Sequence, residues 1–160
     1  MATIQKISPC LWFDRQAEEA AKYYTTIFPN SSIGRISRYG KEGFEQHHMP
    51  EGTVLTIEFT LDGQNFLGLN GGPIFKFNEA ISFMVSCKDQ EELDQYWNKL
   101  SAGGDPNAQQ CGWLKDKFGL SWQIVPSVLP KLLDDKARSG RVMTALMQMK
   151  KLDIKALEEA

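Results

Sequence analysis

The sequence predicts an α+β protein built of two βαβββ modules, each a curved four-stranded sheet, followed by a helical tail. Three observations carry this. Gln109 to Pro126 reads as a hairpin: an extended run with Cys111, Trp113 and Leu114, a turn over Asp116–Gly119, and a second strand from Leu120 to Val125 that Pro126 ends. Val54–Leu61 and Phe66–Leu69, joined by a turn over Leu61, Asp62, Gly63, Gln64 and Asn65, form an earlier hairpin of the same kind. Each hairpin is preceded by a strand and then an amphipathic helix, so one order of elements occurs twice. The repeat rests on pattern, because identity between the halves is slight. It gives one domain over 1–160, with a module at 1–73, a module at 79–126 and a tail at 127–160.

Ile4 to Phe13 begins the first module as a strand, with Pro9 implying an edge position or a local irregularity. Alternation puts Ile7, Pro9, Leu11 and Phe13 on one face and Ser8, Cys10 and Trp12 on the other. Ala17 to Phe28 is a helix. Ala17, Ala20, Ala21, Tyr24 and Phe28 recur at helical spacing, Glu18 and Glu19 suit its positive end, and Pro29 and Asn30 stop it. Ser31–Tyr39 alternates as a strand, and Gly40–Gly52 is a polar loop with His47 and His48. In Thr53–Leu61, Ile57, Phe59 and Leu61 share a face, and Thr56, Glu58 and Thr60 take the other. Phe66–Asn70 pairs back, and Gly71, Gly72 and Pro73 end it.

The second module opens with a strand over Ala80–Cys87. Asp89 caps a helix from Gln90 to Leu100 with Leu93, Tyr96, Trp97 and Leu100 as its buried stripe, and Gly103 and Gly104 terminate it. After the closing hairpin the chain turns helical at Ser127–Leu133, Ser139–Lys150 and, behind an Asp153 cap, Ile154–Glu159. These helices are too short to stand alone, so each docks on the body or on a second subunit. Val142, Leu146 and Met149 offer the stripe for this.

Composition narrows the function classes. A 42% hydrophobic share supplies a core, and a formal net charge of −2 without a basic cluster argues against nucleic acid as a partner. No apolar run approaches the ~20 residues that cross a bilayer, and the start lacks the pattern of a secretory signal. Three cysteines without CxxC spacing fit reduced thiols and no structural zinc, so a cytoplasmic protein is expected.

Four stretches carry a resemblance: PCLWFDRQAEEAAKYYTTIFPNSSI from Pro9, EGTVLTIEFTLDGQNFLGLNGGP from Glu51, ISFMVSCKDQEELDQYW from Ile81 and CGWLKDKFGLSWQIVP from Cys111. With them the chain resembles the PhnB-like branch of the vicinal oxygen chelate superfamily, also called the glyoxalase/bleomycin-resistance/dioxygenase fold. Members often carry the label 3-demethylubiquinone-9 3-methyltransferase. The tail from Ser139 is similar to that branch's tail. The resemblance implies a cupped mixed sheet, a homodimer, and a ligand site in the cup. No Gly-rich strand-to-helix loop of a nucleotide-type cofactor site accompanies the label.

Enzymes of the superfamily hold a divalent metal in the cup, with His, Glu or Gln ligands from the first and last strands of each half. The resemblance brings Pro9, Ser82, Gln123 and a residue within Leu67–Asn70 to those positions. Pro9 has no side-chain ligand, and Ser82, Asn70 and Gln123 are weak neutral donors. The expectation is a cup without metal or other cofactor; a divalent metal on atypical ligands is the alternative. His47 and His48 are a displaced ligand pair or general base on one reading and a solvated loop pair on the other.

The remaining candidates are ligand-binding. If Pro9 faces the cup, Leu11 and Phe13 do too. Gln123 shares its side with Ser121 and Val125, leaving Trp122 and Ile124 for a helix. Glu58 is the one catalytic candidate: a carboxylate with raised pKa acting as a base, or a partner of Arg35, Arg38 or a lysine. Trp113 stacks a flat ligand or fills space, Cys111 is a thiol in the cup or an inert core residue, and Asn70 contacts ligand or caps a strand end. Cys10 and Cys87 read as core, and Asp116 as shaping its turn. The function that follows is the binding of a small apolar or aromatic molecule. The alternative is an enzyme of the superfamily: a metal-dependent lyase, isomerase or dioxygenase, or the methyltransferase of the label.

Overall fold

A computed structural model describes residues 5–160, so the Ile4 start expected for the first strand lies outside the described residues. The chain divides into two compact units, Met1–Lys76 and Phe77–Ala160. The α+β class holds, with a mixed four-stranded sheet in the first unit and a mixed three-stranded sheet in the second.

The first unit runs β1 (Cys10–Phe13), α1 (Ala17–Ile27), β2 (Ser32–Arg38), α2 (Phe44–His47), β3 (Val54–Leu61) and β4 (Gln64–Asn70). Its strand order is β1-β4-β3-β2, with β1 parallel to β4 and the other pairs antiparallel. β1 starts only after Pro9, whose ring removes a donor but whose carbonyl still accepts from Leu67 N–H at 2.9 Å. Asp62 and Gly63, both at positive φ, join β3 to β4 in a two-residue hairpin whose twist matches the strands.

One face of this sheet packs on α1. Ile57, Phe59, Phe66, Leu11 and Phe13 are buried there, and Tyr24 of α1 stacks on Phe59. Gly68 faces Ala17 so closely that a Cβ would sit 3.2 Å from Ala17 Cβ. Asn70 completes the seam: its Oδ1 accepts from Ala17 N–H at 2.9 Å and its Nδ2 donates to the Val54 carbonyl at 3.0 Å. Full burial of an aliphatic or aromatic side chain contributes roughly 1.5–3 kcal/mol, so this seam holds the unit together.

The second unit runs β5 (Phe83–Cys87), α3 (Gln90–Ser101), β6 (Trp113–Lys115), β7 (Ser121–Pro126), α4 (Leu129–Asp134), α5 (Ser139–Met147) and α6 (Ile154–Glu159). Its sheet order is β5-β7-β6, with β5 parallel to β7. The Asp89 and Asp153 caps form as the sequence predicts, accepting from Glu92 and Ala156 N–H at 2.9 and 3.0 Å. Leu93, Trp97 and Leu100 of α3 are buried, as are Leu114, Trp122 and Ile124 on the facing side of the sheet.

This sheet has three strands where the repeat predicts four. After α3 the chain makes a 3-10 turn at Pro106–Ala108, and no strand follows that would correspond to β2. Cys111 and Gly112 also depart from the extended run expected of them, with φ of 52° and 82°. Their N–H groups donate to the carbonyls of Met149 and Lys150, both at 2.8 Å. The tail therefore docks on its own chain. Val142, Leu152 and Leu157 are fully buried, so Val142 is already used and is not free for a second subunit. No described helix is long and apolar enough to cross a membrane.

Candidate functional site

The face of the first sheet turned away from α1 carries three rows. Registers place Ser37, Thr56, Leu69 and Trp12 in one row, and Glu58, Leu67 and Cys10 in the next. The third holds Ser32, Thr60 and Asn65. A hollow of about 410 Å³ opens over the last two, lined by Ser8, Gly34, Glu58, Phe59, Thr60, Asn65, Phe66 and Leu67. This lies within the size range of small-molecule sites.

The hollow lies beside an irregularity in β2. Ile33 pairs with Phe59 and Ile36 with Ile57, so Gly34 and Arg35 together oppose the single residue Glu58. Such a bulge redirects side chains and bends the strand. Gly34 keeps the floor open: a Cβ there would lie 3.1 Å from Glu58 Cβ. Arg35 swings to the rim, where its Nη2 donates to Glu58 Oε1 at 3.0 Å. Of the two readings for Glu58, this is the paired one, with Arg35. The pair is solvent-facing, the side chains being 80% and 47% exposed, so it contributes little to stability. Beside it, Thr60 Oγ1 donates to Asn65 Oδ1 at 3.0 Å.

Other predicted site residues fall elsewhere. Leu11, Phe13 and Asn70 lie on the opposite face, buried under α1, and Asn70 spends both amide atoms on backbone. Their orientation is the reverse of the one expected, and so is that of Cys10, which is exposed on the outer face rather than in the core. Alternation assigned the partition of β1 correctly but not which half met the helix. Arg35 was expected as one possible partner of Glu58 and Thr60 as its neighbour on the polar strand face, whereas Asn65 and Ser8 were not singled out as site residues. Nothing in the sequence pattern marks Asn65 and Ser8, because only strand pairing brings them beside Glu58.

In the second unit, Gln123 shares the outer face with Trp113 and Met84, its direct partners on either side. Its Nε2 donates to Ser82 Oγ at 2.9 Å. Trp122 and Ile124 pack toward α3, as alternation requires. The Ser121 hydroxyl is buried without a hydrogen-bond partner. Cys111 is half-buried in the turn before β6, where Gln110 Nε2 approaches its sulfur at 3.6 Å. Cys87 is buried as expected, and burial pushes its thiol up to about 12. Asp116 is likewise buried, its Oδ1 accepting from Phe118 and Leu120 N–H and its Oδ2 from the Trp122 indole at 2.8 Å.

The donor set does not fit a divalent ion. Pro9 offers a carbonyl that Leu67 already uses, Ser82 is bonded to Gln123, and Asn70 is consumed under α1. Among the described residues, no three His, Cys, Asp or Glu side chains gather as a metal would require. His47 and His48 do not line the hollow. His47 Nδ1 accepts from Met49 N–H at 2.9 Å, which leaves its Nε2–H to donate to the Glu42 carbonyl at 3.0 Å. His48 is exposed beside Phe44.

The chain matches the 3-demethylubiquinone-9 3-methyltransferase family over residues 5–125, so the tail lies outside the match. It is similar to the PhnB protein of Bacillus cereus, at 39% identity over 76% of this chain and 99% of that one, with a TM-score of 0.64. Protein PA1353 of Pseudomonas aeruginosa shares the fold at 17% identity, 77% and 96% coverage and a TM-score of 0.56. A glyoxylase/bleomycin resistance protein/dioxygenase domain from Frankia aligns at 15% identity, covering 75% of this chain and 90% of its own, with a TM-score of 0.46. None of the curated proteins matches.

Proposed function

Because this chain belongs to the 3-demethylubiquinone-9 3-methyltransferase family, of PhnB type, we propose a function from the site it carries: it binds a small organic molecule in the hollow on the outer face of the first sheet, without a resident metal ion. The observation that carries this is the bulge at Gly34–Arg35, beside which a cavity opens over Glu58. The lining is mixed, with Leu67 as apolar floor and Ser8, Glu58, Thr60 and Asn65 as hydrogen-bonding walls. The ligand accordingly has a polar end beside the apolar or aromatic body that the sequence leads one to expect. The outer face of the second sheet, with Trp113 and Gln123, is the other surface of this reading. A homodimer belongs to it as well, and sedimentation tests that separately.

The test is chemical-shift mapping with a small-molecule library. Shifts confined to Gly34, Glu58, Thr60, Asn65 and Leu67 support the reading, and shifts that never fall on these residues overturn it. S-adenosylmethionine belongs in the library: saturable binding of it would move the reading to methyl transfer, as the family's name describes.

A further inference from the structure

We propose that the hollow selects a ligand bearing an amine, and that Glu58 receives its cationic nitrogen. This rests on the reading of the hollow as a binding site and names the class of molecule it takes.

Glu58 holds the central position on the hollow's wall, between Thr60 along its own strand and Leu67 across from it. Among the described residues its one hydrogen-bond partner is Arg35, through Oε1. Oε2 is left to accept from whatever enters. Arg35 itself stands at the rim, does not line the hollow, and is 80% exposed. An ion pair that exposed is worth little and exchanges readily with water. An incoming ammonium can therefore share or replace the guanidinium at small cost. Its contact with a half-buried carboxylate is a charge-assisted hydrogen bond, roughly twice as strong as a neutral one.

Gly34 adds to this. The bulge places two residues opposite Glu58, and the one nearest its Cβ has no side chain. Glycine in a strand interior weakens the strand, and it commonly marks a place where another molecule comes close. Here a Cβ would meet Glu58 Cβ at 3.1 Å and the Glu58 carbonyl oxygen at 3.3 Å, so the glycine leaves the approach to Glu58 without a side chain beside it. Leu67 gives the ligand's body an apolar floor, and Asn65, whose Oδ1 accepts from Thr60, presents its amide nitrogen to a carbonyl or hydroxyl on the same molecule. An anionic ligand would meet Glu58 as a like charge at the centre of the site.

Titration with benzylamine, N-acetylbenzylamine, benzyl alcohol and phenylacetate, followed by amide chemical shifts, tests this on the whole chain. Benzylamine is expected to shift Gly34, Glu58 and Leu67, with affinity about tenfold above its acetylated form. Glu58→Gln should abolish that preference while leaving the weaker neutral binding in place. Gly34→Ala, which narrows the floor, should weaken all four together. Equal binding of amine and acetyl forms, retention of the preference in Glu58→Gln, or preferential binding of phenylacetate overturns the amine assignment while leaving a binding hollow. No shift in the hollow with any of the four overturns both.

Discussion

The two units begin alike and part company after their first helix. In the first, α1 leads into β2, a fourth strand that closes the outer edge of β3 and carries the bulge over Glu58. In the second, α3 leads into a short turn in which Gly104 passes so close to the Lys115 carbonyl that no Cβ fits. Among the described residues no strand lies on the side of β6 away from β7. The tail holds the turn that leads into β6: the carbonyls of Met147, Met149 and Lys150 accept from the Gln110 side chain and the N–H groups of Cys111 and Gly112. A sheet edge must satisfy its backbone groups somehow. One unit adds a strand beside β3; the other ties the turn before β6 to its own C-terminal chain.

Breaking the tail's contact should have the largest effect. Leu152 is fully buried, and its side chain packs on Gly112. Leu152→Ala is expected to cost about 2–5 kcal/mol, read by denaturant melts. Hydrogen exchange should quicken at residues 110–115 and leave β2–β3 unchanged. Unchanged exchange at 110–115 would mean that the tail does not hold the turn before β6.

The buried polar residues sharpen the comparison. Asp116 accepts three hydrogen bonds within one hairpin, whereas Asn70 joins sheet to helix with two. Each buried partner left unsatisfied costs about 1–3 kcal/mol. Asp116→Ala should thus destabilise more than Asn70→Ala, and it should shift Trp122 fluorescence. The reverse order would show that the helix seam matters more than the turn.

A smaller readout compares the leading strands. Cys10 in β1 is exposed, while Cys87 in β5 is buried, with its thiol pushed up by burial to about 12. Burial also raises Cys10, to a lesser degree. At pH 8 iodoacetamide should modify Cys10 and spare Cys87 in the folded protein, as peptide mass mapping would report. Labelling of Cys87 first would reverse the assignment of faces.

The smallest effect concerns Asp94, held below its ordinary value of 3.8 by the Lys151 ammonium and then by Gln90. A depressed carboxyl contributes stability above its unfolded value and loses it as pH falls through the folded one. Asp94→Asn should therefore lower stability slightly near neutrality, since the pair is exposed. The difference should fade below pH 3.8. A gap that persists in acid would assign the effect to packing.

Much of the fold was legible because it depends on local chemistry. Asp62–Gly63 and Asp116–Gly119 announce their turns, and Asp89 and Asp153 announce their helices. What was hidden depends on partners distant in sequence. β1 has only four residues, two apolar ones facing each way, so alternation cannot say which pair meets α1. Ser32–Arg38 reads as a regular strand, and only its pairing with β3 reveals the bulge. Cys111 takes a conformation unusual for a residue with a side chain, set by carbonyls of the tail. The site was half legible for the same reason: Glu58 stands out on a polar strand face, whereas Arg35 reaches it only through the bulge.

The parallel pairing of β1 with β4 also governs how the first unit assembles in time. The β3–β4 hairpin joins residues close in sequence, so it closes cheaply and early. β1 must wait for it, since contacts such as Gln5 with Asn65 span 60 positions. In refolding, pulse-labelled amides of Leu67 and Gly71, which donate to Pro9 and Phe13, should gain protection after those within the hairpin. Simultaneous protection would show concerted closure. Until β1 docks, one edge of β4 stands open, and a second copy's β1 is the natural competitor for it.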